Sequence, residues 1–254
     1  MPKAVVDELI DAAAAPYRNT GRFSWHFARG KLAYDPIFAE LLARGLIPDG
    51  AHILDLGCGL GLLSSWLTAA QDLWRHAAWP ASWPKPPRFA SYHGIERAGR
   101  EVARACKALK AGTVTCGDIR TSVFGAANVV TIFDVLHYID RASQDRVLER
   151  VCAALTPRGG LLLLRIGDAA AGWRFHITRL VDVLMTSIRG ARRQRLHCRP
   201  LASWIACLDA LGFDVTAVSM SHGTLFANVL LVAHLPAAEA RGAVYRPRVA
   251  SMSA

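Results

Sequence analysis

The sequence predicts one α/β domain with a doubly wound, mostly parallel sheet of seven strands that ends in an antiparallel hairpin. From Ala51 onward, apolar runs of strand length alternate with helical periodicity, which is typical of a parallel sheet. The last two apolar runs are joined by a short polar turn, which favours antiparallel pairing. The chain has 254 residues, 52% of them hydrophobic, and can bury one large core.

The helices and strands can be placed from their hydrophobic periodicity. Strands are predicted at 52–56, 91–95, 113–116, 128–133, 161–166, 213–220 and 226–235. Helices are predicted at 2–15, within 22–46, and at 61–70, 98–109, 142–155 and 200–211. We therefore expect a helical cap or lid at 1–49, the α/β domain at 50–236 and a flexible tail at 237–254.

Two segments depart from this alternation. Residues 71–90 carry three tryptophans and four prolines where loops are normally short, and we interpret them as an insertion that packs against the domain. Residues 173–199 combine apolar residues with seven arginines and a single acid, Asp182, and form a basic amphipathic segment.

The most informative motif is Ile-Leu-Asp-Leu-Gly-Cys-Gly-Leu-Gly at 53–61, a buried strand that runs into a glycine turn and then a helix. Gly57, Gly59 and Gly61 remove side chains where the backbone must approach a ligand. A dinucleotide-binding fingerprint would need its third glycine one residue later, and that residue is Leu62. The D-x-G-x-G-x-G form instead resembles motif I of class I S-adenosylmethionine (SAM) dependent methyltransferases, whose fold is Rossmann-like.

This resemblance covers about residues 50–235 and implies SAM as the cofactor. Glu96, at the end of the second strand, resembles the acid that accepts both ribose hydroxyls. After the third strand, Asp118 resembles the acceptor of the adenine amino group, and Ile119 resembles the residue that flanks the ring. The implied cofactor-binding residues are Asp55, Gly57, Cys58, Gly59, Gly61, Glu96, Asp118, Ile119 and Asp134.

The fourth strand ends in Phe-Asp-Val-Leu-His-Tyr at 133–138, which matches motif IV in position. The candidate catalytic residues are Asp134, His137 and Tyr138. His137 is the best candidate for a base, because the pKa of histidine lies near working pH. Two alternatives stay open: His137 only packs and hydrogen-bonds locally, or methyl transfer proceeds by proximity and needs no base.

The aromatic and basic residues at 22–31 form the candidate lid. Trp25, His26, Arg29 and Lys31 would cover the substrate, with aromatic faces against a sulfonium or a flat acceptor. Arg29 or Lys31 would meet a carboxylate of the substrate or of SAM. The alternative is an amphipathic helix that only caps the sheet.

The acceptor is constrained by missing motifs. No Asn/Asp-Pro-Pro-aromatic motif, catalytic cysteine or paired glutamates follow the fourth strand, which disfavours enzymes that methylate nucleic-acid amino groups, cytosine C5 or protein arginine. A small, carrier-linked or lipid-linked acceptor remains, with O-methylation favoured. The overall pattern is similar to methyltransferases that accompany bacterial aryl-polyene and polyketide-like lipid pathways. The alternatives are an RNA methyltransferase and a non-catalytic SAM- or membrane-binding module.

The formal net charge of +10 indicates an anionic partner. The segment 173–199 would contact an anionic membrane or an acidic acyl carrier protein, unless its arginines only face solvent. The six cysteines include no C-x-x-C pair, which favours free thiols and no metal site. Residues 1–16 do not fit a secretory signal, so we expect a cytoplasmic protein, with peripheral contact at the inner face of the membrane as a variant.

Overall fold

A central β-sheet organises the part of the chain that the computed structural model describes, which comprises residues 3–76, 79–155, 158–167, 196–220 and 228–238. The strands in these ranges are β1 (Ala51–Leu56), β2 (Phe89–Glu96), β3 (Thr113–Cys116), β4 (Val129–Phe133), β5 (Gly160–Gly167), β6 (Asp214–Ser219) and β7 (Asn228–Leu235). Their order is β3-β2-β1-β4-β5-β7-β6. Strands β1 to β5 pair in parallel, and β7 runs antiparallel to β5 and β6. The predicted fold class is confirmed.

The central strands form because most of their residues are apolar on both faces. Every residue of β4 from Val129 to Ile132 is buried, and so is every residue of β5 from Leu161 to Ile166. Continuous burial of this kind is expected where helices cover both faces of a parallel sheet. Two separate apolar clusters confirm this layering, one on each side of the sheet.

The helices form the two outer layers. Within the described ranges they are α1 (Lys3–Ala14), α2 (Arg22–Tyr34), α3 (Pro36–Ala43), α4 (Leu62–Arg75), α5 (Gly99–Ala108), α6 (Arg141–Leu155) and α7 (Leu201–Ala210). One apolar cluster includes residues of α1 to α5, and the other includes residues of α6 and α7. None of these helices is long and apolar enough to cross a bilayer.

The N-terminal helices are bonded directly to α4. The hydroxyl of Tyr17, in the 3-10 helix Ala15–Thr20, donates to the backbone oxygen of Leu60 at 2.9 Å and lies 2.9 Å from the hydroxyl of Ser65. The indole N–H of Trp66 donates to the backbone oxygen of Phe38 at 2.8 Å. Tyr17 and Trp66 are both fully buried, so the helices from α1 to α3 pack into the core of the domain.

The segment before β2 differs from its predicted boundaries. Helix α4 continues to Arg75 instead of ending near residue 70, because Leu73 still lies in the core and no helix breaker occurs before Pro80. In the loop that follows, the rings of Trp79 and Trp83 lie 5.4 Å apart and pack against the first apolar cluster. This loop is at the amino ends of the strands, away from the edge where the glycine motif lies.

The basic segment 173–199 lies outside the described residues up to position 195, and so does the tail from 239 onward. Of the arginines in that segment, Arg199 is described, and it is buried. Its guanidinium contacts Asp145 at 2.7 Å and lies 5.0 Å from the centre of the Trp204 ring. Arg199 therefore joins α6 to α7, and this one arginine faces inward.

Candidate active site

The glycine motif lies at the carboxyl end of β1, where the order of the strands reverses between β1 and β4. In doubly wound sheets this reversal opens the crevice in which ligands bind. Gly57, Gly59 and Gly61 all have left-handed backbones, with φ of 75°, 55° and 70°. The turn is held by the amide of Gly57, which donates to the backbone oxygen of Ile95 at 2.8 Å. The sequence between β1 and α4 can follow this path because glycine carries no steric penalty at positive φ.

The glycines of the turn meet different surroundings. A Cβ added to Gly57 would lie 2.3 Å from a methyl group of Val135, so Gly57 allows the loops after β1 and β4 to touch. A Cβ added to Gly59 would meet no atom within 4 Å among the described residues. Gly57 is therefore required by packing against the protein, whereas Gly59 faces an open space at the mouth of the crevice.

Glu96, the last residue of β2, lies beside this open space. One carboxylate oxygen accepts from the amide of Gly59 at 3.1 Å, and the other accepts from the amide of Ala98 at 2.8 Å. A carboxylate has about four lone-pair positions, so further donors can still bind. Glu96 thus links the ends of β1 and β2 at one wall of the crevice.

Asp55 lies beneath the glycine turn and is buried. Its two oxygens accept from the hydroxyls of Tyr92 and Thr131 at 2.7 and 2.8 Å. Burial raises the pKa of Asp55 to about 6, and the two hydrogen bonds oppose that rise. The contacts of this carboxylate support the strands under the turn.

Cys58 lies within the turn, and its sulfur packs so closely on β2 that a Cβ added to Gly94 would lie 2.5 Å from it. Burial raises the pKa of the Cys58 thiol, and the neighbouring carboxylates of Asp55 and Glu96 raise it further. The side chain is therefore a neutral thiol at physiological pH, with no nucleophilic character.

Asp118 and Ile119 lie after β3. The carboxylate of Asp118 is bound by the side chain of Arg120, with its closest contact at 2.6 Å, and by the Arg120 amide at 2.9 Å. These bonds lower the pKa of Asp118. Ile119 is buried, and its backbone oxygen accepts from Arg150 at 2.8 Å.

Asp134, directly after β4, is the one described residue other than glycine with a positive φ, at 59°. The Nε of Arg165, from β5, donates to its Oδ1 at 2.9 Å, and a second N–H bonds to Oδ2. Arg165 also makes two bonds to Asp35, which lies between α2 and α3. The ammonium of Lys31 lies 2.7 Å from Asp35 and 3.7 Å from Asp134.

These four side chains make one charge cluster of Lys31, Asp35, Asp134 and Arg165. Burial opposes the ionisation of Asp134 and Asp35, but Arg165 and Lys31 hold the pKa of both carboxyls below its ordinary value. Burial likewise opposes the charge on Arg165, and the two carboxylates raise its pKa. Asp35, Asp134 and Arg165 are therefore charged at neutral pH.

His137 and Tyr138 occupy a short 3-10 helix, Leu136–Tyr138, and their ring centres are 4.1 Å apart. Burial lowers the pKa of His137; Asp134 opposes this effect and Arg165 adds to it. The segment is held by buried Gln144, whose amide donates to the backbone oxygens of Leu136, Ile139 and His197 at 2.9, 3.1 and 2.7 Å.

The four predicted lid residues have different surroundings. Arg29 pairs with Asp11 at 2.7 Å, and both side chains are half exposed. Trp25 lies 4.5 Å from the His26 ring and under the guanidinium of Arg18. Lys31 is the member of the set that contacts a residue of motif IV. The structure thus brings Lys31 to the carboxyl end of β4 and places Arg29 in a pair within the cap.

Several residues that shape the site are absent from the sequence-based predictions. Arg165 interrupts the run Leu161–Leu164 of β5 with a buried charge, and such a break was a visible signal. Asp35 precedes Pro36, and its side chain accepts from the amide of Ile37 at 3.1 Å, which is the pattern of a helix cap. No local pattern distinguishes Tyr17 or Gln144 from ordinary helix residues.

Comparison with known proteins identifies the family. A family model described as a methyltransferase domain matches residues 24–218, which is most of the chain. The chain belongs to this methyltransferase family. The predicted enzyme class, a SAM-dependent methyltransferase, is thereby confirmed, and with it the prediction of SAM as the cofactor of that class.

Curated relatives of this methyltransferase are distant. It is 25% identical over 178 residues to a ubiquinone biosynthesis O-methyltransferase of Xanthomonas axonopodis, with 68% of each chain covered. It is 30% identical over 130 residues to a carboxy-S-adenosyl-L-methionine synthase of Chromohalobacter salexigens, covering 49% of this chain and 43% of the relative. The second likeness spans less than half of that relative.

Solved structures share the fold of this methyltransferase. A magnesium protoporphyrin IX methyltransferase from Synechocystis with bound SAH matches with a TM-score of 0.55 at 17% identity, covering 92% of this chain and all of that one. The O-methyltransferase NcsB1 of neocarzinostatin biosynthesis matches with a TM-score of 0.55 at 21% identity, covering 89% of this chain and 60% of that one. At these identities the likeness is one of fold.

Proposed function

We propose that this methyltransferase transfers the methyl group of SAM to an oxygen atom of a small or carrier-linked acceptor, in the crevice between the ends of β1 and β4. The observation that carries the proposal is the open space at Gly59, which is bounded by the Glu96 carboxylate. When bound, SAM supplies a methyl group on a good leaving group, so the protein's task is to position both reactants and exclude water.

The residues around the crevice fit SAM. An added Cβ at Gly59 would meet no protein atom within 4 Å among the described residues, so a ligand can approach the turn closely, and Glu96 supplies an acceptor for a diol. Asp118 would accept from the adenine amino group and Ile119 would flank the ring, although Arg120 already occupies part of the Asp118 carboxylate. Asp55 would support the turn from beneath, because its bonds to Tyr92 and Thr131 hold β1 against its neighbouring strands.

His137 is the proposed proton acceptor, and Asp134 is not. A lowered pKa keeps the imidazole of His137 neutral near pH 7, so it can take the proton from an acceptor hydroxyl. Asp134 is bound by Arg165 and Lys31, and its lowered pKa makes it a poor base. The role of Asp134 in this proposal is to fix the loop that carries His137 and Tyr138.

An oxygen acceptor is supported by the likeness to the ubiquinone biosynthesis O-methyltransferase, which spans two thirds of both chains. A carrier-linked or lipid-linked acceptor is supported by the composition of segment 173–199, whose excess of arginines gives it a positive charge that would attract acidic proteins and anionic lipids. The same excess of charge would attract RNA, whose binding would weaken steeply with salt.

The first experiment is calorimetric titration of SAH into the purified protein. The variant Glu96→Gln keeps the shape of the side chain and removes its charge, and Glu101→Gln makes the same change in the first turn of α5 as a matched control. We expect SAH affinity to fall about tenfold or more in Glu96→Gln, because a hydrogen bond to a charged group is worth about 1.5 to 3 kcal/mol, and to stay unchanged in Glu101→Gln. Folded wild-type protein that does not bind SAH would contradict the proposal.

The acceptor is then found by methyl transfer from labelled SAM to phenols, carboxylic acids, acyl carrier protein loaded with aromatic acids, and RNA. Label in a phenol or a carrier-bound hydroxyl would support the proposal. Label in RNA, with activity that falls steeply between low and high salt, would replace the proposed acceptor with a nucleic acid.

A further inference from the structure

The charge cluster of Lys31, Asp35, Asp134 and Arg165 joins three parts of the chain that are far apart in sequence. Arg165 comes from the carboxyl-terminal half of β5, Asp134 from the loop after β4, and Asp35 from the junction of α2 and α3. The Arg165 side chain is 1% exposed and lies between the two carboxylates. It therefore bridges, from inside the protein, the N-terminal cap and the loop between β4 and α6, residues 134–140, which we call the motif IV loop.

The bonding pattern fixes both carboxylates at once. Arg165 makes two hydrogen bonds to Asp134 and two to Asp35, so its planar guanidinium sets their relative orientation. Lys31 lies at the outer side of the cluster, 37% exposed, and contacts both acids. A lysine at position 165 could not reproduce this arrangement, because an ammonium has three donors and no fixed plane.

The charge cluster is not expected to add much to the stability of the folded protein. Ion pairs to a buried guanidinium gain little over apolar side chains of the same volume, since Arg165 must first lose its water. Asp134 also has a positive φ of 59°, which is uncommon for a residue other than glycine. A cluster that adds little stability and holds Asp134 in this conformation beside the crevice points to a geometric role.

We propose that Arg165 is a positioning residue: through Asp35 it fastens the N-terminal cap over the carboxyl ends of β4 and β5, and through Asp134 it sets the loop that carries His137. This inference rests on the proposed function, because the geometry it sets is that of the methyl-transfer site. Binding of SAH and ordering of α2 are then coupled, since both require the same position of the motif IV loop.

Asp35→Asn is the most informative variant. Asparagine keeps a side-chain oxygen for the amide of Ile37, so the cap of α3 survives, while the charge that holds Arg165 is lost. Asp11→Asn is the matched control, because it removes the partner of Arg29 on the exposed side of the same helical cap. Arg165→Lys is the second variant, and it keeps the charge without the planar fork.

The measurement is hydrogen exchange of the amides at 22–34 and 135–139, with and without SAH. In Asp35→Asn and Arg165→Lys we expect exchange in both segments to rise about tenfold and SAH affinity to fall about tenfold, within the usual range of coupling between sites. Asp11→Asn should change neither quantity. In the wild type, SAH should slow exchange in both segments, and in Asp35→Asn it should slow exchange at 22–34 much less.

Two results would overturn the inference. Exchange at 135–139 that is the same in Asp35→Asn and Asp11→Asn would show that the cap and the motif IV loop are independent. Faster exchange with unchanged SAH affinity would show that the cluster only supports the fold. If the wild type does not bind SAH, the proposed function fails, and exchange without ligand still decides whether Arg165 fastens the cap to the loop.

Discussion

Replacing Gly59 by alanine separates a role in ligand binding from a role in folding. The backbone of Gly59 has φ of 55°, and an added Cβ would meet no protein atom within 4 Å. The left-handed conformation costs alanine about 1 to 2 kcal/mol, and the smaller entropy of the unfolded chain returns about 0.4 to 1 kcal/mol. We therefore expect the folded state to lose about 1 kcal/mol, a fall in Tm of roughly 2 to 4 °C for a chain of this size.

Two other glycines provide the reference points for that change. Gly50, before β1, has φ of 73° and also meets nothing within 4 Å, so Gly50→Ala should lower Tm as much as Gly59→Ala. Gly57 has φ of 75°, and its added Cβ would lie 2.3 Å from Val135. Overpacking adds about 1 to 3 kcal/mol, so Gly57→Ala should be the least stable of the three.

The assay is thermal unfolding of each variant together with calorimetric titration of SAH. In Gly59→Ala the new methyl group enters the space that we assign to the ligand, so SAH affinity should fall by at least about tenfold, or 1.4 kcal/mol. Gly50→Ala should bind SAH as the wild type does. Equal dissociation constants for these two variants would refute the assignment of this space to the cofactor.

Three further predictions concern side chains of the site. His137→Gln should slow methyl transfer about 10²- to 10⁴-fold with little change in SAH affinity. In the wild type, a pH series of initial rates should show the rate rising with pH through a pKa below the ordinary value of histidine. The raised pKa of Asp55, about 6, favours the folded protein fully below about pH 4, and this contribution is lost as pH rises through 6. The free energy of unfolding of the wild type, measured with urea, should therefore fall by up to about 3 kcal/mol between pH 4 and 7 relative to that of Asp55→Asn. Parallel curves of unfolding free energy against pH for the two proteins would contradict this. Tyr17→Phe leaves the Leu60 carbonyl without its donor, so we expect a loss of about 1 to 3 kcal/mol in the same assay and weaker SAH binding.

The parts of the site that the sequence predicts are local. Residues 53–61 contain a whole strand end and turn, and the pattern of one acid and three glycines can be read within nine positions. Glu96 and Asp118 could be placed near the crevice because each follows a predicted strand, and the carboxyl ends of parallel strands share one edge of the sheet. Their roles toward SAM come from the resemblance to class I methyltransferases and stay predictions.

Contacts between distant residues determine how the N-terminal cap meets the crevice. Asp35 and Arg165 are 130 positions apart, and Tyr17 and Leu60 are 43 apart. Each is an ordinary residue in its own helix or strand, and its partner is decided by how the cap packs on the sheet. Arg29 and Lys31 likewise have partners that the local sequence does not reveal. They are two positions apart on α2, yet Arg29 pairs with Asp11 and Lys31 contacts Asp134 of motif IV.

The charges near motif IV constrain how an anionic acceptor could be attracted. The cluster contains two cations, Lys31 and Arg165, and two carboxylates, Asp35 and Asp134, so its formal charge is zero. A neutral cluster orients its neighbours at short range and exerts little force on a charged molecule beyond a Debye length, about 8 Å at physiological salt. Long-range attraction of an anionic acceptor must therefore come from the excess of +10 elsewhere in the chain. In the proposed function the crevice orients the acceptor, and positive charge outside the cluster attracts an anionic one.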